Sequence, residues 1–113
     1  MPIPLSTVHD VLVVYLKRRL RGSVVRWLAM EQVARELAPF FTARQTPGFE
    51  SNTELVPRVL RLAAANLDKN LWAEYDRVRS RIRLNPLGAF LAMAHEMPSD
   101  LEELIQALEN PTP

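Results

Sequence analysis

The sequence predicts a single, mainly α-helical domain carrying one small β-hairpin, with a wholly helical bundle as the alternative. Three observations lead there. The 113 residues accommodate one domain with one core. Apolar residues recur with the helical period in several separate stretches. One arginine-rich stretch, residues 70–84, alternates apolar and polar positions as a strand does. The composition, 48% hydrophobic and 24% charged, is that of an ordinary globular protein.

Each element has its own signal. Met1 to Leu5 reads as a loose lead-in, and Ser6 or Thr7 is placed to cap a helix from about Thr7 to Leu20. Val8, Val11, Leu12, Val14, Tyr15 and Leu16 give that helix a wide apolar stripe. A stripe so wide calls for deep burial or a second subunit. Lys17, Arg18, Arg19 and Arg21 gather at its end, where cations complement the helix dipole. Gly22 and Ser23 break it, and Val24 to Leu28 suit a short strand. Ala29 to Ala38 follows as a helix with Met30, Val33, Ala34 and Leu37 inward. Pro39 is expected to end it, because proline disfavours helical geometry at the preceding residue. Residues 40–51, with the Pro47-Gly48 turn signal, then form a long loop. Ser51 and Glu54 have capping-box spacing for a helix to about Leu67, with Val56, Val59, Leu60, Ala63 and Leu67 inward. Pro57 belongs in its first turn, and Asp68-Lys69-Asn70 marks a break.

Residues 70–84 admit two readings. As a helix, Leu71, Tyr75, Val78 and Ile82 share one stripe. As a hairpin turning near Asp76, Val78, Ser80, Ile82 and Leu84 face one way and Arg77, Arg79, Arg81 and Arg83 the other. Asn85-Pro86 is a strong helix start, an N-cap followed by proline at the first helical position. That helix should bury Leu87, Phe90, Leu91 and Ala94 and stop at Pro98. Ser99 and Glu102 form a second capping box for a short acidic helix, residues 99–109, with Leu101, Leu104, Ile105 and Leu108 on one face. The last four residues should fray.

Net charge is +1, but it is unevenly distributed. Residues 1–95 hold all 14 bases and eight acids, whereas residues 96–113 hold five acids and no base. Twelve of the bases are arginine, whose planar fork suits phosphates and carboxylates, although a GC-rich genome would give the same bias. With no cysteine, disulfides, thiolate nucleophiles and thiolate metal sites are excluded. No run reaches the ~20 apolar residues of a membrane span. The stretch ahead of Val11 carries no base, so no signal peptide is expected, and the location expected is cytoplasmic, with the nucleus open.

The order helix, short strand, helix, helix, arginine-rich hairpin, helix resembles a winged helix-turn-helix domain. Asp76 to Gly88 is similar to the wing of MarR-type transcription regulators: a basic strand ends in Leu84, and Asn85-Pro86-Leu87-Gly88 stands where that family has Thr-Pro-x-Gly. Met30 to Leu37 resembles the first helix of the helix-turn-helix unit, and Ser51 to Leu67 takes the place of the recognition helix. The connection at residues 39–51 is longer than in that family, and the recognition segment is more apolar. The likeness makes residues 7–96 the winged-helix core. It implies double-stranded DNA as partner, a homodimer, and a role in transcription or replication control. Arg77, Arg79, Arg81 and Arg83 would contact phosphates, Arg58 and Arg61 guanine edges, and Asn52 adenine, with Thr53 and Lys69 beside them.

Catalysis is not expected. His9 and His95 have no ligand-like partner at helical spacing, and Gly22, Gly48 and Gly88 are isolated, so neither a metal motif nor a phosphate loop is present. No cofactor is implied. Trp27, Trp72, Phe40, Phe41 and Phe49 read as core or interface groups. The second reading is a protein-interaction module, with the partner at the 40–49 loop or the helix at 51–67. In that reading the acidic C-terminal helix docks on a basic partner or on the protein's own basic body.

Overall fold

A computed structural model describes residues 3–4, 7–43 and 55–110. The described residues form helices α1 (Val8–Arg19), α2 (Met30–Ala43), α3 (Leu55–Lys69), α4 (Pro86–Leu91) and α5 (Ser99–Glu109). The strands are β1 (Ile3–Pro4), β2 (Leu28–Ala29), β3 (Ala73–Asp76), β4 (Arg81–Leu84) and β5 (His95–Glu96). The fold is mainly helical with a three-stranded antiparallel sheet in the order β2-β4-β3. β1 and β5 form a separate parallel pair. Among the described residues no helix is long and apolar enough to cross a membrane.

α1 is the central helix. Thr7 caps it, its hydroxyl accepting from the Asp10 amide at 3.2 Å. Every residue from Val11 to Leu16 is buried, so the wide stripe is consumed within the chain: α1 packs on α3, β4 and α4. The helix closes with Arg21 and Gly22 at φ 53° and 77°, and the Gly22 amide donates to the Lys17 carbonyl at 3.0 Å. A left-handed terminus of this kind favours glycine.

Residues 70–84 are a hairpin, which rules out the continuous helix and with it the all-helical bundle. β3 and β4 pair Ala73 with Leu84, Glu74 with Arg83, Tyr75 with Ile82 and Asp76 with Arg81. Ile82, Leu84 and Ala73 are buried; the charged partners face outward. The expected ladder of four arginines is not formed, because residues 77–80 are the turn. Asp76 closes that turn by accepting the Arg79 amide at 3.1 Å, and Val78 stands 95% exposed at its tip. Only Arg81 and Arg83 lie on the strand.

Other expectations also need correction. The strand at 24–28 is reduced to Leu28–Ala29. α2 runs through Pro39 to Ala43, so residues 40–43 are helix rather than loop. Phe40 and Phe41 are both buried in the core, and that packing outweighs the lost helical hydrogen bond. Residues 44–50, and the capping box of Ser51 and Glu54, lie outside the described residues. α3 starts two residues before Pro57 and runs to Lys69, burying Val56, Leu60, Ala63, Ala64 and Leu67.

Asn85 caps α4 as expected, accepting from the Leu87 amide at 3.0 Å. The helix is shorter than expected, ending at Leu91 in a 3-10 turn, Ala92–Ala94, well before Pro98. Its buried side is Gly88, with Ala92 following, while Leu87, Phe90 and Ala94 are exposed. Gly88 explains the inversion: a Cβ there would lie 1.9 Å from the Trp72 carbonyl oxygen, so α4 rests on the start of the hairpin through its backbone. Ser99 is the first residue of α5 rather than its cap, and Pro98 precedes it without a side-chain capping bond. Glu102 turns away to Arg18, at 3.4 Å. Leu101 and Ile105 are buried, anchoring α5 to the body.

Candidate nucleic-acid interface

α3 is packed on one side by α1 and on the other by α2. Its exposed residues include Arg58, Arg61, Leu62, Ala65 and Lys69, with Asn66 and Asp68 beside them. The spacing of the first five, at three, four, seven and eleven residues, places them on one stripe of the helix. The stripe has cationic ends and an apolar middle, with Leu62 67% exposed. Arg58, Arg61 and Lys69 make no ion pair with a described residue. Asn52 and Thr53, expected on the same helix, lie outside the described residues.

The hairpin divides its arginines into two kinds. Arg81 and Arg83 are half-buried and committed within the chain. Arg81 Nε reaches Asp76 at 3.2 Å and Arg83 Nε reaches Glu74 at 2.7 Å, each pair being a cross-strand neighbour. Both guanidinium groups also lie over the Trp27 indole, at 4.3 and 4.5 Å from the ring centre. A cation over an aromatic face is held by the ring quadrupole. Trp27 therefore positions the two side chains on the outer face of the sheet, a role the sequence did not signal. Arg77 and Arg79 are exposed on the turn, Arg79 by 70% of its side chain. Arg79 touches Asp76 at 3.3 Å, a contact open to solvent and weak. The Arg79 backbone amide, together with the Arg81 and Arg79 side chains, holds the Asp76 carboxyl below its ordinary value, so the turn keeps its anion.

Between α2, the start of α3 and the hairpin turn runs a groove of about 920 Å3. Ala34, Ala38, Val56 and Pro57 line it, and Arg35, Arg61 and Arg79 converge on it, with Glu31 as the acid present. The groove thus joins the α3 stripe to the tip of the hairpin.

Two cations at the end of α1 are neutralised internally. Arg18 bonds Glu109 with one nitrogen at 2.8 and 2.9 Å, and Arg19 bonds Glu36 at 3.0 and 3.2 Å. The acidic α5 thus docks on the protein's own basic body. Glu36 is 8% exposed and also accepts from the Tyr15 hydroxyl and from Gln32. Burial pushes its carboxyl up, but the bonds from Tyr15, Arg19 and Gln32 together outweigh that and hold it below the usual glutamate range. Burial, with the Glu36 hydrogen bond, pushes the Tyr15 phenol well up.

The histidines take packing roles. His9 Nε2 is 3.0 Å from the Asn66 amide nitrogen, and His95 Nε2 is 3.2 Å from Asp10 Oδ1 with the Trp72 ring edge-on at 6.0 Å. No group of three or more His, Asp or Glu among the described residues is placed to hold a metal. Comparison with family models, with curated proteins and with solved structures finds no match.

Proposed function

We propose that this protein is a winged-helix domain that binds double-stranded DNA, as a homodimer, in the control of transcription or replication. α3 enters the major groove, and the hairpin turn lies on the adjacent backbone. The observation that carries this reading is the pattern of uncommitted cations. Arg58, Arg61 and Lys69 on α3 and Arg77 on the turn are exposed and without an acid among the described residues. The helix-strand-helix-helix-hairpin order and the β2-β4-β3 sheet support it. In this reading Arg81 and Arg83 stiffen the hairpin rather than touch phosphate, since Asp76, Glu74 and Trp27 already hold them.

The test is binding to a random-sequence duplex across a salt series. Each phosphate contact contributes about 0.9 to the log–log slope, so Arg77→Ala/Arg79→Ala should flatten the slope by up to about 1.8. Arg83→Ala should leave it nearly unchanged. No binding by the folded protein at low salt refutes the reading.

A second reading, a protein-interaction module, has its own observation. Leu62 and Val78, 67% and 95% exposed, put apolar groups at the centre of the α3 stripe and at the tip of the turn. A partner docking there would be lost on Leu62→Glu, with the salt slope on DNA having been absent from the start.

A further inference from the structure

A pocket of about 540 Å3 opens where α1 ends, between that helix and the segment following α4. The volume falls in the ~300–1,000 Å3 range of small-molecule sites. Val14, Met93 and Met97 make its apolar wall, and Lys17, Arg18 and Arg21 stand around it. No acid is among its lining residues. Arg18 is already engaged by Glu109 and Glu102, whereas Lys17 and Arg21 make no ion pair with a described residue. Methionine is unbranched and adapts its shape to what it touches, which suits an apolar tail.

His95 completes the lining, with a side chain only 8% exposed and its Nε2 held by Asp10 at 3.2 Å.

We propose that this pocket binds an organic carboxylate bearing an unbranched apolar tail of medium length. The carboxylate meets Lys17 and Arg21, and the tail lies against Met93 and Met97. Cations over an apolar wall select this class. A bare inorganic anion would leave the methionines unused, and a neutral hydrocarbon would leave the cations unused. None of the lining residues belongs to the α3 stripe or to the hairpin turn, so the proposal stands or falls separately from DNA binding.

The experiment is a titration of the whole protein with decanoate, followed through the 13C ε-methyl signals of methionine. Met93 and Met97 are expected to shift saturably while Met30, sealed in the core, stays still. Acetate, which lacks the tail, and decanol, which lacks the charge, should each bind more weakly by about tenfold or more. Lys17→Glu/Arg21→Glu should weaken decanoate by about tenfold or more. If that variant loses its far-UV dichroism, Arg21→Ala alone carries the test with about a threefold loss, since Arg21 is exposed and outside the core. The proposal is overturned if no signal saturates, if Met30 moves as much as Met93 and Met97, or if decanoate binds the folded charge variants as well as it binds wild type.

Discussion

Replacing Glu36 with alanine should be among the most damaging polar substitutions in this chain. Four donor contacts converge on that carboxylate: the Tyr15 hydroxyl, Arg19 Nε at 3.0 Å, a second Arg19 nitrogen at 3.2 Å and Gln32 at 3.1 Å. Tyr15 is fully buried, so its hydroxyl would lose its acceptor out of reach of water, at about 1–3 kcal/mol. Arg19 would keep only Glu109, at 3.7 Å. Removing one partner of a buried, hydrogen-bonded ion pair costs about 3–5 kcal/mol in all. Tyr15→Phe, which deletes one bond and leaves the ion pair, should cost about 1 kcal/mol. Urea unfolding reads both, as a fall in midpoint at constant slope. The pH dependence supplies a second check. The Glu36 carboxyl is lowered in the fold by bonds from Tyr15, Arg19 and Gln32 that outweigh its burial. Its contribution is therefore complete above the unfolded glutamate value and is lost as pH falls through the folded value. Glu36→Gln should flatten the acid limb of the stability curve relative to wild type. A Glu36→Ala penalty below about 1 kcal/mol, or parallel acid limbs, would refute the claim that this carboxylate ties α1 to α2.

Two further substitutions probe the backbone. Pro39 lies inside α2 with its side chain exposed, so Pro39→Ala restores a helical hydrogen bond at no packing cost and should raise stability by about 1–3 kcal/mol, read by thermal unfolding. Gly88→Ala places a Cβ 1.9 Å from the Trp72 carbonyl oxygen, a backbone atom that cannot swing aside. It should cost about 1–3 kcal/mol and increase hydrogen exchange at the Asn85 amide, which donates to that same oxygen at 3.2 Å.

The hairpin was half legible in the sequence. The alternation of Ile82 and Leu84 with Arg81 and Arg83 marks a strand with one buried face, and β4 has it. The same alternation continues back through Val78, but there it is accidental. Asp76 accepts the Arg79 amide and turns the chain, a local bond that periodicity does not encode. Pro39 misled for the opposite reason: its local preference is correct, and burial of Phe40 and Phe41 overrides it. Leu87 and Phe90 were expected inside because they are apolar, yet Gly88 is the residue that α4 presses against the hairpin. On α3, helical period alone separated inward Leu60 and Leu67 from outward Arg58 and Arg61. Trp27 could not be assigned, because its stacking on Arg81 and Arg83 depends on β2 pairing with β4, far along the chain.

Charge bookkeeping in the fold sharpens where a polyanion would bind. By sequence, every base lies in residues 1–95 and the C-terminal segment is purely acidic, which leaves many arginines as equal candidates. Folding removes that equality. α5 brings Glu102 and Glu109 onto Arg18 and Arg19, Glu36 adds a second carboxylate to Arg19, and the hairpin sets Glu74 and Asp76 against Arg83 and Arg81. An arginine already paired and half-buried would have to give up that partner before gaining a phosphate, so its net contribution to binding is small. Exposed cations lose only water. By this argument the exposed cations would dominate any encounter with a polyanion, and five of them, Arg58, Arg61, Lys69, Arg77 and the weakly paired Arg79, lie on the outer stripe of α3 and the hairpin turn. Arg61 and Arg79 also meet at one groove, which links those two elements into a single face.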